Sequence, residues 1–278
     1  MQYRSLGQLQ VSVVGLGCNN FGMRLDIEGT KRVVDAAIDA GINYFDTAES
    51  YGNGLSEEYL GKAIKGRRDQ VIVASKWGHT ASLEEGERGG DPARIRARLD
   101  ASLARLGTDY IDHYQLHRPD PDTPAAETLG CLSELRAEGK IREIGCTHFS
   151  EAELLDSQAA ATSQGLAMYP SVQNYYSLLT RDPETDGVFD VCEELGIGFV
   201  PYFPLESGLL TGKYRLGQAR PEGALLTNWG ARADSYIDDY KLVIVEELVP
   251  SAEAQHHPLL DLAFVSYTHL TLPTIHSL

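Results

Sequence analysis

The sequence predicts a (β/α)8 barrel, an α/β fold of parallel strands with helices between them, and three observations carry the expectation. Short apolar runs alternate with segments of helical period, at a spacing of roughly 30 residues. The chain is 278 residues long, close to the roughly 250 that such a barrel takes. No linker-like or low-complexity stretch divides it. An open doubly wound sheet shares the alternation, but the unbroken composition favours the closed form.

Residues 3–14 alternate and turn at Leu6-Gly7-Gln8, which predicts an amino-terminal β-hairpin. A strand follows at 13–17. Residues 27–40 have helical spacing, with Val33, Val34, Ala37 and Ile38 on one face and Gly41 as the stop. Strand 42–46 precedes helix 56–65. Strand 71–76 precedes helix 92–106, which Asp91-Pro92 opens as cap and first turn. Strand 110–117 precedes helix 124–138, stopped by Gly139. Strand 141–147 precedes helix 150–161, where Ser150 and Glu153 form a capping box. Strand 170–174, helix 184–195 and strand 197–203 bring the total to seven strands.

The formal net charge of −16 argues against a general affinity for nucleic acid or acidic membrane surfaces. An anionic cofactor stays compatible, because a few cations and backbone amides can hold one phosphate group. The amino terminus is polar, and no apolar run approaches the roughly 18 residues that span a bilayer. Cys18, Cys131, Cys146 and Cys192 are far apart and read as reduced packing thiols, so a cytoplasmic location is expected. His113 and His117 are four apart, but on a strand rather than a helix, and no third ligand accompanies them. No metal site is expected.

The candidate chemistry sits at three strand ends. Asp46 and Tyr51 flank the loop after the second barrel strand, Lys76 ends the third and His117 ends the fourth. Barrel enzymes place their active residues at these carboxyl ends. Singly, each residue has a plain structural reading: a turn aspartate, a packing tyrosine, a lysine reaching solvent, a satisfied histidine. Together an acid, a phenol, an amine and an imidazole form a proton-transfer group on one rim.

Several stretches also resemble the aldo-keto reductase family. They are Asp46-Thr47-Ala48-Glu49-Ser50-Tyr51-Gly52, Ala74-Ser75-Lys76, Tyr114-Gln115-Leu116-His117-Arg118-Pro119, Lys140-Ile141-Arg142-Glu143-Ile144-Gly145, Val172-Gln173-Asn174-Tyr175-Tyr176-Ser177 and the run from Pro201 to Lys213. They occur in the family's order, and the likeness runs from about residue 3 to about 264. It implies a (β/α)8 barrel and a nicotinamide dinucleotide, NADP(H) as a rule with NAD(H) as the alternative. The implied reaction moves a hydride between that cofactor and a small aldehyde, ketone or sugar. Tyr51 would be the proton donor. An ordinary phenol has a pKa of about 10, and Lys76, held by Asp46, would lower it. His117 would orient the substrate oxygen or share the transfer.

The resemblance also implies cofactor contacts: Thr147, His148 and Gln173 at the carboxamide, Tyr202 stacked on the nicotinamide, and Pro204, Leu205, Ser207, Gly208, Leu210 and Lys213 in a loop over the pyrophosphate. The Leu210 contact would come from its backbone, with the side chain packed beneath. His148 stands where the family has an amide. Gly15, Gly17 and Gly22 are spaced too widely for a Rossmann fingerprint.

The carboxyl terminus departs from the family. Residues 1–264 are reductase-like; 265–278 have no helical period, are interrupted by Pro273 and lack the 2′-phosphate segment. The eighth βα unit is therefore expected to be missing or replaced, as a truncation or frameshift would leave it. A cofactor-binding regulatory subunit, as in the potassium-channel branch of the family, and an inactive fragment are the alternatives to an enzyme. The substrate would be set by loops 78–91 and 215–234. Trp77, Phe21, Tyr51 and Trp229 read equally as a substrate wall or as core, and the oligomeric state stays open.

Overall fold

Gly7 sets the first turn. Its φ of +56° suits a residue without Cβ, and it joins β1 (Tyr3–Leu6) to β2 (Leu9–Ser12) in the predicted antiparallel hairpin. In this computed structural model residues 1–270 are described, with 232, 235 and 267–270 as backbone alone.

The βα alternation follows: β3 (Leu16–Gly17), α1 (Ile27–Asp39), β4 (Tyr44–Asp46), α2 (Leu55–Ala63), β5 (Ile72–Trp77), α3 (Pro92–Leu106), β6 (Ile111–Leu116), α4 (Ala125–Ala137), β7 (Ile141–Thr147), α5 (Glu151–Gln164), β8 (Ser171–Tyr175), α6 (Val188–Leu195) and β9 (Gly198–Tyr202). After these come α7 (Leu225–Asn228), α8 (Asp239–Glu253) and α9 (Leu259–Leu270). Seven strands form one sheet in chain order, β3 to β9, the order of a (β/α)8 barrel. The expected fold class is borne out, with element ends shifted by a few residues.

By internal contacts the chain divides into two units. The first comprises Met1–Val172 with Glu194–Gly198; the second comprises Gln173–Glu193 with the residues from Phe199 onward. In the first unit local chemistry follows the sequence. The Asp91 carboxylate accepts from the N–H groups of Ala93 and Arg94 at 3.0 and 3.2 Å, capping α3. Ser150 and Glu153 form the capping box of α5. Parallel register sets Asp46 beside Ala74, and Lys76 beside Gln115. The chemistry-bearing residues of neighbouring strands therefore emerge at one level.

The second unit has two apolar clusters. Leu209, Tyr214, Leu226, Ala233 and Leu242 form one; Leu210, Val245, Val249, Leu259 and Ala263 form the other. Both use α8, a helix the sequence patterning did not pick out. Pro250 lies inside it and obscures the period; the Asp238 carboxylate caps its start by accepting from Lys241 N–H at 2.7 Å.

The carboxyl end corrects one expectation. Residues 265–270 continue α9 instead of leaving helical geometry at Val265. Leu259 and Ala263 anchor that helix in the second cluster, and packing carries it past the point where the apolar period fades. Among the described residues no strand follows Tyr202. Residues 271–278, with Pro273, lie outside the described residues. No described helix is long and apolar enough to cross a membrane.

Candidate active site

Lys76 is the centre of the site. Its side chain is 1% exposed, so its charge needs partners. Nζ donates to Asp46 Oδ2 at 2.7 Å and to the Thr47 carbonyl at 3.0 Å, and Tyr51 OH lies 3.5 Å away. The first unit thus brings Asp46, Tyr51 and Lys76 together as the sequence predicted. Gln115 is a fourth participant that sequence reasoning missed. Its Nε2 donates to Asp46 Oδ1 at 3.3 Å, leaving Oδ2 to the lysine.

Tyr51 reaches this position through an unusual turn. Gly52, Asn53 and Gly54 are all left-handed, with φ of 58°, 54° and 88°. A Gly-Asn-Gly sequence tolerates that run where most residues would be strained. The turn swings the phenol back over β5 before α2 begins.

His117 follows β6 and is 6% exposed. Its ring meets the Tyr51 ring edge-on at a centroid distance of 5.9 Å. The His117 Nδ1 atom is buried and has no hydrogen-bond partner among the described residues. His79, which sequence reasoning also missed, stands 4.8 Å from His117 between ring centroids. The Ala81 N–H donates to His79 Nδ1 at 3.1 Å, which assigns the neutral ring's proton to Nε2.

Thr147 ends β7 and is fully buried. Its hydroxyl donates to the His117 carbonyl at 2.5 Å; His148 Nδ1 lies 3.2 Å from the same oxygen. A carbonyl only accepts, so His148 carries its proton on Nδ1. His148 holds a φ of +62°, a conformation in which histidine and asparagine are enriched.

Burial dominates the electrostatics. It pushes the Tyr51 phenol up, and the opposing pull of the Lys76 charge does not offset it. This corrects the expectation of a lowered phenol: Lys76 acts in the predicted direction, but desolvation of the phenolate is larger. Burial alone would pull Lys76 down; the charges of Asp46 and Tyr51 outweigh it and hold the ammonium above its ordinary value. His117 is pulled down to about 2 by burial first and by Lys76 next. Burial, then Arg118, brings His148 down to about 4. At neutral pH the group therefore holds one ammonium, one protonated phenol and neutral imidazoles.

The remaining predicted residues lie in the second unit. Gln173 is 6% exposed on β8. Tyr202 stacks on Tyr175 with centroids 5.3 Å apart. In the loop after β9, Leu210 is fully buried in an apolar cluster, with Leu205 packed against it. Glu206, Ser207 and Gly208 are left-handed in succession, with φ of 51°, 54° and 104°. The Ser207 hydroxyl is buried with no partner among the described residues. Pro204 is half-buried, and Lys213 is exposed and forms no ion pair among the described residues. Trp77 and Phe21 are core residues, 0% and 2% exposed, and Trp229 packs on the first apolar cluster. Among the described residues no group of ligating side chains could hold a metal ion.

The chain is similar to known proteins over most of its length. The model of the Aldo/keto reductase family matches residues 13–243. Aldo-keto reductase YhdN of Bacillus subtilis is 39% identical over 221 residues, which span 77% of this chain and 65% of that protein. A probable voltage-gated potassium channel subunit beta of Oryza sativa is 32% identical over 272 residues, covering 95% of this chain and 82% of that one. The solved structure of the glycerol dehydrogenase AKR11B4 from Gluconobacter oxydans superposes with a TM-score of 0.76 at 29% identity, over 95% of this chain and 81% of that one. With the family's model matched over most of its length and its strands in barrel order, this chain belongs to the aldo/keto reductase family.

Proposed function

We propose that the protein is an oxidoreductase moving a hydride between a nicotinamide dinucleotide and the carbonyl or alcohol of a small aldehyde, ketone or sugar. NADP(H) is the expected cofactor, with NAD(H) the alternative. The carrying observation is the Lys76 ammonium, which contacts the Asp46 carboxylate on one side and the Tyr51 phenol on the other. When bound, the dinucleotide supplies the hydride.

The side chains supply the proton and its control. Tyr51, protonated at neutral pH, donates to the carbonyl oxygen during reduction. Lys76 stabilises the phenolate that remains. Asp46 and Gln115 fix the ammonium, so little reorganisation accompanies the charge change. His117 is too weak a base to hold a proton at neutral pH, so it orients the oxygen by a hydrogen bond and leaves the acid role to Tyr51. On this reading Thr147, His148, Gln173 and Tyr202 hold the nicotinamide end. Pro204, Leu205, Ser207, Gly208, Leu210 and Lys213 hold the phosphates. Residues 1–264 carry the function and 265–278 form the tail; the four buried free thiols suit a cytoplasmic protein.

The kinship with a potassium channel subunit beta supports a second reading, a cofactor-binding regulatory subunit. Titrating the protein with NADPH and NADH, followed by nicotinamide fluorescence, and then screening aldehydes, sugars and glycerol separates the readings. The reductase reading predicts binding and turnover. Binding without turnover on any panel member favours the regulatory subunit, and absence of binding favours an inactive fragment.

A further inference from the structure

We propose that Glu57, with Ser75 and Arg105, is a positioning device that holds the Tyr51 turn against Lys76; the proposal rests on the reductase reading above. The Glu57 side chain is 0% exposed. Its Oε1 accepts from the Ser75 hydroxyl at 2.5 Å, and its Oε2 accepts from Arg105 Nε at 2.6 Å. Ser75 immediately precedes Lys76 on β5. Strand alternation sends the two side chains to opposite faces of the sheet, so Glu57 grips from one face the strand whose other face presents the ammonium.

The second arm of the device reaches the phenol. Arg105 lies directly over Gly54: a Cβ on that glycine would sit 2.7 Å from Arg105 Cδ. Gly54 closes the left-handed turn that Tyr51 opens. Ser56, one residue before Glu57, adds two more ties. Its hydroxyl donates to the Cys18 carbonyl at 2.8 Å and lies 2.7 Å from Thr47 Oγ1; the Thr47 carbonyl is itself a Lys76 acceptor. The first turn of α2 therefore contacts the ends of β3, β4 and β5 at once.

An ion pair whose carboxylate is fully buried beside a half-buried arginine is a poor choice for stability alone, since well-packed apolar residues of similar size often do as well or better. A carboxylate with two directional partners does set a distance and an angle. That matters here because the phenol and ammonium stand 3.5 Å apart, at the limit of hydrogen-bonding range. A slight outward shift of the Tyr51 turn from β5 would separate them. Neither Glu57 nor Arg105 touches the reacting groups, so both are positioning residues.

The test compares wild type with Ser75→Ala, which removes one hydrogen bond and leaves the Glu57–Arg105 pair whole, and with Glu57→Gln. Single-turnover carbonyl reduction is measured with NADPH prebound, together with the carbonyl KM and the rate–pH profile. The expected result is a fall of about tenfold in Ser75→Ala and more in Glu57→Gln, with KM and NADPH affinity unchanged. The alkaline limb should move to higher pH, because a looser ammonium stabilises the phenolate less, and Ser75→Thr should restore rate and limb. If Glu57→Gln fails to fold, the serine variants still decide. A folded Ser75→Ala protein with the wild-type rate and limb overturns the proposal. A wild-type protein that binds no dinucleotide removes the reductase reading itself, and the proposal with it.

Discussion

Acid should weaken this protein in part through a histidine that never meets solvent. His113 is fully buried; Tyr44 OH lies 2.8 Å from its Nδ1 and Ser171 Oγ lies 2.9 Å from its Nε2. Gly145 leaves room for the ring, since a Cβ there would stand 2.4 Å from Nε2. Burial pulls the imidazole down from 6.5 to about 3, with Lys76 adding to the effect against a backbone hydrogen bond at Ile144. The folded pKa lies below the unfolded one, so the unfolded chain takes up the proton first. The stability contribution is complete above pH 6.5 and drains away as pH falls towards 3. At pH 5 the loss from this one group is about 2 kcal/mol. Urea unfolding followed by tryptophan fluorescence at pH 7 and pH 5, on wild type and His113→Gln, isolates it. The variant should start less stable, because Tyr44 and Ser171 lose a partner, yet lose about 2 kcal/mol less than wild type between the two pH values. Equal losses would refute the buried neutral histidine.

Three further outcomes are expected. Lys76→Met should slow single-turnover reduction by about a hundredfold or more while NADPH affinity changes little; a wild-type rate would remove the ammonium from the proton transfer. Because burial holds the Tyr51 phenol above its ordinary value of 10.0, reduction needs the protonated form and should stay level through pH 9, falling only above 10; an alkaline limb near pH 8 would contradict this. Gly61→Ala should lower the melting temperature, since the added Cβ would lie 2.2 Å from the Leu106 carbonyl oxygen and force α2 from α3 at about 1–3 kcal/mol. An unchanged melting temperature would show that the helices part freely.

Much of this was legible in one dimension because βα alternation, caps and glycine stops are local signals. Asp91, Ser150 and Gly139 mark their helices where expected. What escaped depended on tertiary contacts. α8 hides behind Pro250, and residues 265–270 stay helical through the anchoring of Leu259 and Ala263. In the site, Asp46, Tyr51, Lys76 and His117 were readable from their strand-end positions. Gln115 was not, because only the register of β5 with β6 sets it beside Lys76. His79 follows Gly78 in a loop with no pattern of its own. The acid strength of Tyr51 was misjudged for a related reason: the charge of Lys76 can be guessed from sequence, but the desolvation that outweighs it belongs to the fold.

The central claim is that the phenol of Tyr51 delivers the proton. Tyr51→Phe keeps the ring and removes only the hydroxyl, so the most direct measurement is its single-turnover rate of carbonyl reduction with NADPH prebound. The account predicts NADPH affinity within a few-fold of wild type and a rate lower by at least about a hundredfold. An undiminished rate in that variant would contradict it.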